Sequence, residues 1–587
     1  MAALFVLALA LNWPFVGGGF QADDLLLLNQ MAEEPLPYSR LRGLWSNADI
    51  DTFAALWWRD ADMDGTFWRP IPSIVFEGSV WLFGHNAVPL HILSLLLHGL
   101  VTALIFAVVR RAGGDNLVAF LSGLLFVACE DHALPVGWIS TVTDLFCVTG
   151  IMLALWLHLG WLQKRQHRYV AGMAVVMVLA LACKETAAAA PVLVVMATFF
   201  MPTGRDGAMS WTLGELRKRL VDTLRDGWSW LPATAVLIVF LGLYKGLHLG
   251  GMHNLMYADP LSDPVHYLTH LVGHLPIMWL ATVSPVPPSL AMFSPELIPP
   301  LAIAGALAMG ALIFSLRGQL RRGLVSFALV GYLAALLPQM GADASERGLY
   351  LPVALASIPL AVLLSRVGFL ARRLVPRLES VARIERWAGW YILLGVLAPG
   401  LLLSAVMPFM YVESLAAPAN HALTAREHIE RRAPDHVLVL NTAGMFDTLY
   451  VKDVLDYYMG ARQDLRLLSS CNAIMSVERV DERAFVLRAD RPGWLSNMFA
   501  RLVRTEPRLA VGHRRVSRPF TTMIEEVTSD GSDVLAVRFE LDRPLNDRSL
   551  LFLRWNGDAF VPIDVGELPV GQPEVLADSS DVWASMM

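Results

Sequence analysis

Five polar clusters interrupt an otherwise apolar chain, each at the end of an apolar run. They are Asp23-Asp24; Arg69; His132 with Trp138 and Asp144; Lys184-Glu185; and Glu346-Arg347 with Tyr350. The first stands out. The run from Met1 to Phe20 ends abruptly in two adjacent carboxylates, and charge beside hydrocarbon costs free energy. The loop that follows, Gln21 to Arg69, carries nine acidic and four basic residues. A single charge at a span end can simply snorkel to the interface. Carboxylates, cations and aromatics gathered on one membrane face describe something else: a cavity suited to a substrate with a lipid tail, an anionic link and a polar head.

The elements that must position these residues are membrane helices. The chain has 587 residues, of which 55% are hydrophobic, and the apolar residues come in long blocks. Runs of about 20 apolar residues match the hydrocarbon thickness of a bilayer. Eleven spans are expected, at 2–19, 89–110, 115–131, 142–162, 168–184, 187–201, 229–247, 299–316, 323–340, 350–367 and 388–408. The basic runs Arg110-Arg111, Lys164 to Arg168, Arg217 to Arg219, Arg317 to Arg322 and Arg372 to Arg386 then fall on one side. That side is the cytoplasm, because short cytoplasmic loops collect Lys and Arg. The five clusters face outward. The net charge of −6 argues against a nucleic-acid partner. Cys129, Cys147, Cys183 and Cys471 have neither metal-binding nor disulfide spacing. The first run lacks a basic leader and reads as an anchor helix rather than a signal peptide.

Two apolar segments do not fit the alternation of sides. Residues 70–84 and 266–283 are expected as outer helices, the second carrying His266, His270 and His274 on one helical face. Leu213, Leu216, Leu220 and Leu224, with Arg and Lys between them, form a basic amphipathic helix for the inner leaflet. Residues 1–410 are thus read as a membrane domain and 411–587 as a soluble outer-face α/β domain. There His436 to Leu440, Phe446 to Met459 and Leu465 to Leu468 read as strand, helix and strand. Val534 to Leu541 and Leu550 to Trp555 alternate as strands, and Asn556-Gly557 signals a hairpin. That domain shows no nucleotide, nucleophile-elbow or metal motif. It is expected to pack or to handle an acceptor rather than to do chemistry.

In order, the chain shows an acidic pair after the first span, Trp68-Arg69-Pro70, His91 to His98, His132 with Trp138 and Asp144, Cys183-Lys184-Glu185, and Glu346 to Pro352. This order resembles the GT-C superfamily of polyprenyl-phosphate-sugar-dependent glycosyltransferases, and within it the membrane half of the tetratricopeptide-repeat O-mannosyltransferases. The resemblance covers roughly residues 1–370. Ser94 stands where that group has Asn, Val142 where it has Arg, and no 34-residue repeat follows. The resemblance implies transfer of a sugar from a polyprenyl phosphate to a hydroxyl acceptor on a protein, lipid or glycan. A carboxylate would take the acceptor proton; Asp23 is the first choice and Asp24 the second. The other would orient the acceptor or bind a divalent cation, the one cofactor kept open. Arg347, with Arg69 and Lys184, would bind the donor phosphate. His132, Asp144, Glu185 and Glu346 are expected to line the substrate site. Trp138 and Tyr350 would stack on sugar or serve as interface aromatics. One base without a second carboxylate placed as nucleophile favours inversion, while Asp24 keeps the retaining route open.

Two other readings of the outer clusters are a transporter or flippase of lipid-linked sugars and a non-catalytic scaffold of envelope assembly. Charges at span ends without an inverted repeat argue against transport. The outer domain lacks glycosylation sequons, which points to a bacterial inner membrane with the site facing the periplasm.

Overall fold

The computed structural model describes the chain except residues 34–43, 47–55, 60–65, 248, 250–254, 259, 261–262, 368–382, 471–473, 490–493, 496–497, 506–508 and 577–587. Cys471, the basic residues between 372 and 382, and much of the acidic outer loop lie outside the described residues. The helices used below are α1 (Ala2–Asn12), α2 (Asp23–Glu33), α3 (Pro70–Phe83), α4 (Val88–Arg111), α5 (Asn116–Val127), α6 (Val142–Lys164), α7 (His167–Leu181), α8 (Ala189–Phe200), α9 (Leu213–Arg225), α10 (Leu231–Gly246), α11 (Pro264–Val283), α12 (Ile298–Leu316), α13 (Gly323–Leu336), α14 (Tyr350–Leu364), α15 (Ala398–Arg432), α16 (Met445–Met459) and α17 (Met498–Leu502).

Each of the eleven expected spans is helical. Five helical segments are long and apolar enough to cross a membrane alone: Val88–Arg111, Ile139–Lys164, Pro295–Leu316, Glu346–Leu364 and Arg383–Arg432. A sixth crossing is available to the pair Asn116–Val127 and Glu130–Gly137, bent by 58°. The other expected spans are shorter apolar helices. Segments α1, α7, α8, α10 and α13 each belong to a run of 10–17 residues. Their residues bury one another in a single apolar core.

At the far ends of these helices the basic turns are tied together. Gln163 donates to the Arg111 carbonyl at 2.7 Å, Arg165 pairs with Asp226 at 2.5 Å and Arg322 pairs with Asp206 at 2.8 Å. There α9 presents exposed Leu213, Leu220 and Leu224, as its amphipathic pattern requires.

Helix α11 departs from a surface helix. Its C-terminal half is buried from Ile277 to Val283. Trp279 meets the Tyr332 ring edge-on at 4.8 Å, and Thr282 and Tyr332 share a hydroxyl hydrogen bond of 3.0 Å. A helix that is apolar around most of its circumference buries itself in neighbours rather than lying flat.

The C-terminal domain contains the expected strand–helix–strand unit. Strands β3 (His436–Val439) and β4 (Leu465–Leu467) pair in parallel. Strand β10 (Leu550–Trp555) is parallel to β3 on its other side, and β11 (Phe560–Pro562) folds back on β10 through the turn at Asn556-Gly557. A second sheet has six strands in the order β12 (Pro573–Val575), β5 (Met475–Arg479), β6 (Ala484–Ala489), β9 (Val534–Leu541), β8 (Phe520–Val527) and β7 (Arg514–Ser517). Helix α15 runs without a break past residue 410 to Arg432, so one helix joins the bundle to the C-terminal domain. A second core spans both: Phe20, Leu25, Phe76 and Trp138 pack with Ile429, Tyr450 and Leu455.

Candidate active site

The acidic pair caps the start of α2. Ala22 just before it adopts a left-handed φ of 50°, a conformation that strains a residue bearing a Cβ. This turn separates the two carboxylates. Asp24 is buried, and backbone amides hold both its oxygens: Gln21 N–H donates at 3.0 Å and Ser140 N–H at 2.7 Å. It latches the first outer loop to the second. Asp23 is only half-buried. One of its oxygens accepts from the Tyr450 hydroxyl at 2.6 Å, and Arg347 and Arg69 are its electrostatic neighbours. Its other oxygen has no hydrogen-bond partner among the described residues.

The cations form a chain of pairs across separate helices. Arg69, just ahead of α3, grips Glu185 through two nitrogens at 2.7 and 3.3 Å. Lys184 pairs with Asp144, in the first turn of α6, at 2.5 Å. Arg347 reaches the other Asp144 oxygen at 3.7 Å. The Arg347 guanidinium lies 5.3 Å from the centre of the Trp138 ring, which supports it by cation–π attraction. Trp138 can stand there because the preceding residue is Gly137. A Cβ at that position would come within 2.1 Å of the Phe15 ring. The Lys184–Asp144 pair is almost wholly buried, and stripping one partner from a buried pair strands a charge. Lys184→Ala is expected to destabilise the protein by about 3–5 kcal/mol, read as earlier denaturation of the detergent-solubilised protein. An unchanged unfolding curve would show the pair contributes little.

The remaining candidates lie elsewhere. Glu346 turns away from its neighbour Arg347 and accepts from the Ser289 hydroxyl at 2.5 Å. Its electrostatic neighbour is Asp131. His132 and Tyr350 are buried in an aromatic cluster. The His132 ring is 4.3 Å from Phe126 and 4.8 Å from Tyr350, and the Tyr350 hydroxyl is 2.8 Å from His98 Nδ1. Tyr350 still lies within electrostatic reach of Asp144. The structure therefore brings together Asp23, Arg69, Trp138, Asp144, Lys184, Glu185 and Arg347. It gives Asp24 to the backbone and packs His132, Glu346 and Tyr350 outside the ring.

Two tyrosines complete the ring without any signal in the sequence. Tyr450 comes from α16 of the outer domain, and Tyr257 stands among Arg347, Arg69, Glu185 and Asp23. An isolated Tyr in a soluble helix or a loop has no spacing that marks it. Burial raises the Asp23 carboxyl above its ordinary range, opposed by the Tyr450 hydrogen bond, Arg347 and Arg69. The Tyr450 phenol is pushed up by burial and by Asp23, so it stays a donor. A carboxylate so placed can accept a proton with one oxygen while a phenol fixes the other. Among the described residues Asp23 belongs to no group of three His, Cys, Asp or Glu at metal-ligand spacing. Arg347 and Arg69 are the cations that favour its ionised form.

Residues 70–212 match the family model described as dolichyl-phosphate-mannose-protein mannosyltransferase. The matched stretch includes Trp138, Asp144, Lys184 and Glu185 of the ring. Two curated proteins of Drosophila melanogaster are similar. Protein O-mannosyl-transferase Tmtc2 is 28% identical over 211 residues, covering 34% of this chain and 21% of that protein. Protein O-mannosyl-transferase Tmtc1 is 26% identical over 215 residues, covering 35% and 24%. The chain thus matches under a quarter of the length of these relatives. Among solved structures, the oligosaccharyltransferase AglB from Archaeoglobus fulgidus, in complex with an inhibitory peptide and a dolichol-phosphate, aligns with a TM-score of 0.44. Identity is 12%, over 79% of this chain and 64% of that one. ArnT from Cupriavidus metallidurans, bound to undecaprenyl phosphate, aligns with a TM-score of 0.38 and 15% identity over 79% and 85%. The resemblance to the GT-C superfamily is carried by the family match and the two relatives.

Proposed function

We propose that the protein is an integral-membrane glycosyltransferase that moves a sugar from a polyprenyl-phosphate donor to a hydroxyl acceptor at the outer membrane face. One observation carries this reading: Asp23 presents a free carboxylate oxygen beside Arg347 and Arg69, the latter paired to Glu185 and the former near Asp144. A base for the acceptor and a cation for the departing phosphate thus stand next to each other. The matched family description names a dolichyl-phosphate-linked mannose, which supports a lipid-phosphate donor.

The acceptor hydroxyl gives its proton to Asp23 as its oxygen attacks the anomeric carbon. The bond from that carbon to the phosphate oxygen breaks, and the polyprenyl phosphate leaves with the electron pair. Arg347 meets the growing charge. It is about one-third exposed and only loosely held by Asp144, so its N–H groups remain available. With Asp24 tied to backbone amides, and Asp144 and Glu185 paired with cations, Asp23 is the one ring carboxylate among the described residues without an ion-pair partner, which favours inversion. The basic turns at the opposite helix ends support an outer-face site, with the C-terminal domain on the same side as the charged ring. A bacterial inner membrane with a periplasmic site accords with the basic turns at the far ends.

The test is release of polyprenyl phosphate by the purified full-length protein from short-chain polyprenyl-phosphate mannose and other sugars, with peptide, lipid and glycan acceptors. Turnover that depends on acceptor is the expected result. Movement of labelled donor across proteoliposomes without turnover would replace the reading with transport. Donor binding with neither would leave a scaffold.

The hydroxyl of Tyr450 supplies a sharper test. A hydrogen bond to a charged group contributes about 1.5–3 kcal/mol, and a pKa unit corresponds to about 1.4 kcal/mol. Asp23 must be ionised to act, so activity falls as pH drops through its raised pKa. Tyr450→Phe removes a lowering influence and should move the acid limb of kcat/KM upward by about one pH unit or more. A limb that stays in place would separate Asp23 from the pH-dependent step.

A further inference from the structure

Away from the charged ring, α11 brings His270 and His274 one turn apart on the same face, and Asp343 approaches them from the segment after α13. One ligand atom from each of the three lies within 4.8 Å of the other two. His274 and Asp343 are buried, at 7% and 8% exposure. The Nδ1 atoms of both histidines and Oδ2 of Asp343 are enclosed without a hydrogen-bond partner among the described residues. Three enclosed polar atoms left unpartnered at one point cost stability, unless something else satisfies them. Arg501 of α17 only partly does so: its guanidinium stands 3.5 Å from Asp343 Oδ2 and also donates to the Leu255 carbonyl at 3.3 Å.

We propose that His270, His274 and Asp343 form a binding site for a divalent transition metal of the zinc type, separate from the charged ring. Two imidazoles and a carboxylate select zinc-like ions over magnesium or calcium, which favour oxygen ligands. Metal–ligand bonds of about 2.0–2.2 Å put tetrahedral ligands roughly 3.5 Å apart. Small side-chain rotations from the observed spacing close the site, and the ion displaces Arg501 from Asp343. Three protein ligands leave a fourth position for water. His266, whose ring is 4.5 Å from that of His270, continues the same helical face but stands outside the trio.

The site also sits beside a strap of the candidate active centre. The Ala258 amide donates to the Gly341 carbonyl at 2.7 Å, and Leu255 N–H donates to the Arg504 carbonyl at 2.8 Å. Tyr257 lies between these two anchors. A metal that fixes Asp343 therefore fixes the turn on which the Tyr257 strap rests. The metal site itself does not depend on the transferase reading.

The experiment uses full-length protein purified without a polyhistidine tag, stripped with chelator and dialysed. Co2+ is titrated and followed by its visible absorption, then displaced with Zn2+, with bound metal counted by elemental analysis. One equivalent per chain with a low-symmetry Co2+ spectrum is expected. His274→Ala and Asp343→Asn should each weaken binding at least about 100-fold, the upper end of the cost of replacing even residues that only orient a metal ligand. His266→Ala should leave it unchanged. Melting curves of the stripped proteins separate lost ligands from lost fold. Absence of a tight equivalent in the unmodified protein would overturn the proposal, as would an equivalent that survives both replacements.

Discussion

Asp23→Asn should reduce glycosyl transfer by about 10²–10⁴-fold, the range for loss of a positioned general base, while donor binding persists. The replacement is isosteric. Its amide oxygen can still accept from the Tyr450 hydroxyl, which now reaches Asp23 at 2.6 Å. What is lost is the capacity of the second oxygen to take a proton. The informative control is the adjacent residue. Asp24 spends both oxygens on the amides of Gln21 and Ser140, so Asp24→Asn sets an NH2 group against a backbone N–H. Its effect should appear as a loss of stability of about 1–3 kcal/mol, with the loss of rate following from misplacement of the loop. Two adjacent carboxylates would then be distinguished by readout: a rate defect in a stable protein for Asp23, a melting defect for Asp24. Full activity in Asp23→Asn would remove it from the chemistry.

Arg347→Ala should cost about 10²–10³-fold in kcat, the scale for removing one preorganised stabiliser of developing charge. The argument rests on its placement. It is supported by the Trp138 ring at 5.3 Å, held only at 3.7 Å by Asp144, and is the electrostatic neighbour of Asp23. Arg347→Lys should restore little, because an ammonium offers neither the planar fork nor the stacking surface. Donors with poorer leaving groups should suffer more, since they develop more charge before the bond breaks. Comparing Asp144→Asn separates the two duties of the guanidinium. If Arg347 serves only as a counterion to Asp144, both replacements will alter stability alike and leave the rate per folded molecule intact. That result would move phosphate recognition to Arg69 or Lys184.

Much of this architecture is legible in the chain because the bilayer imposes a one-dimensional rule. A backbone in hydrocarbon must satisfy its own hydrogen bonds, so long apolar runs become helices. Each of the eleven expected spans contains helix, five of them long and apolar enough to cross a membrane; α3 and α11 are helices as expected, but α11 packs into its neighbours. The β3–α16–β4 unit and the Asn556-Gly557 turn are also local: a strand pattern, a helix pattern and a turn with Gly557 at a φ of 101°. The six-stranded sheet was less visible. Strands β5 (Met475–Arg479) and β8 (Phe520–Val527) carry polar residues among short apolar ones, and their pairing is set by partners far along the chain.

The division between the two kinds of information is sharpest within the acidic pair. By itself the sequence determined that Asp23 and Asp24 leave an apolar helix together, and that Arg69, Lys184 and Arg347 stand at the ends of other apolar runs, expected on one face because the basic loops mark the other. It could not decide which carboxylate points where. That depends on a single left-handed turn at Ala22 and on donors more than a hundred residues away: Ser140 for Asp24, Tyr450 for Asp23. Nor could it separate Arg347 from Glu346, adjacent in the chain yet turned to different neighbours. Side-chain direction at a helix end follows from what packs against it, and those neighbours are brought together only by the tertiary fold.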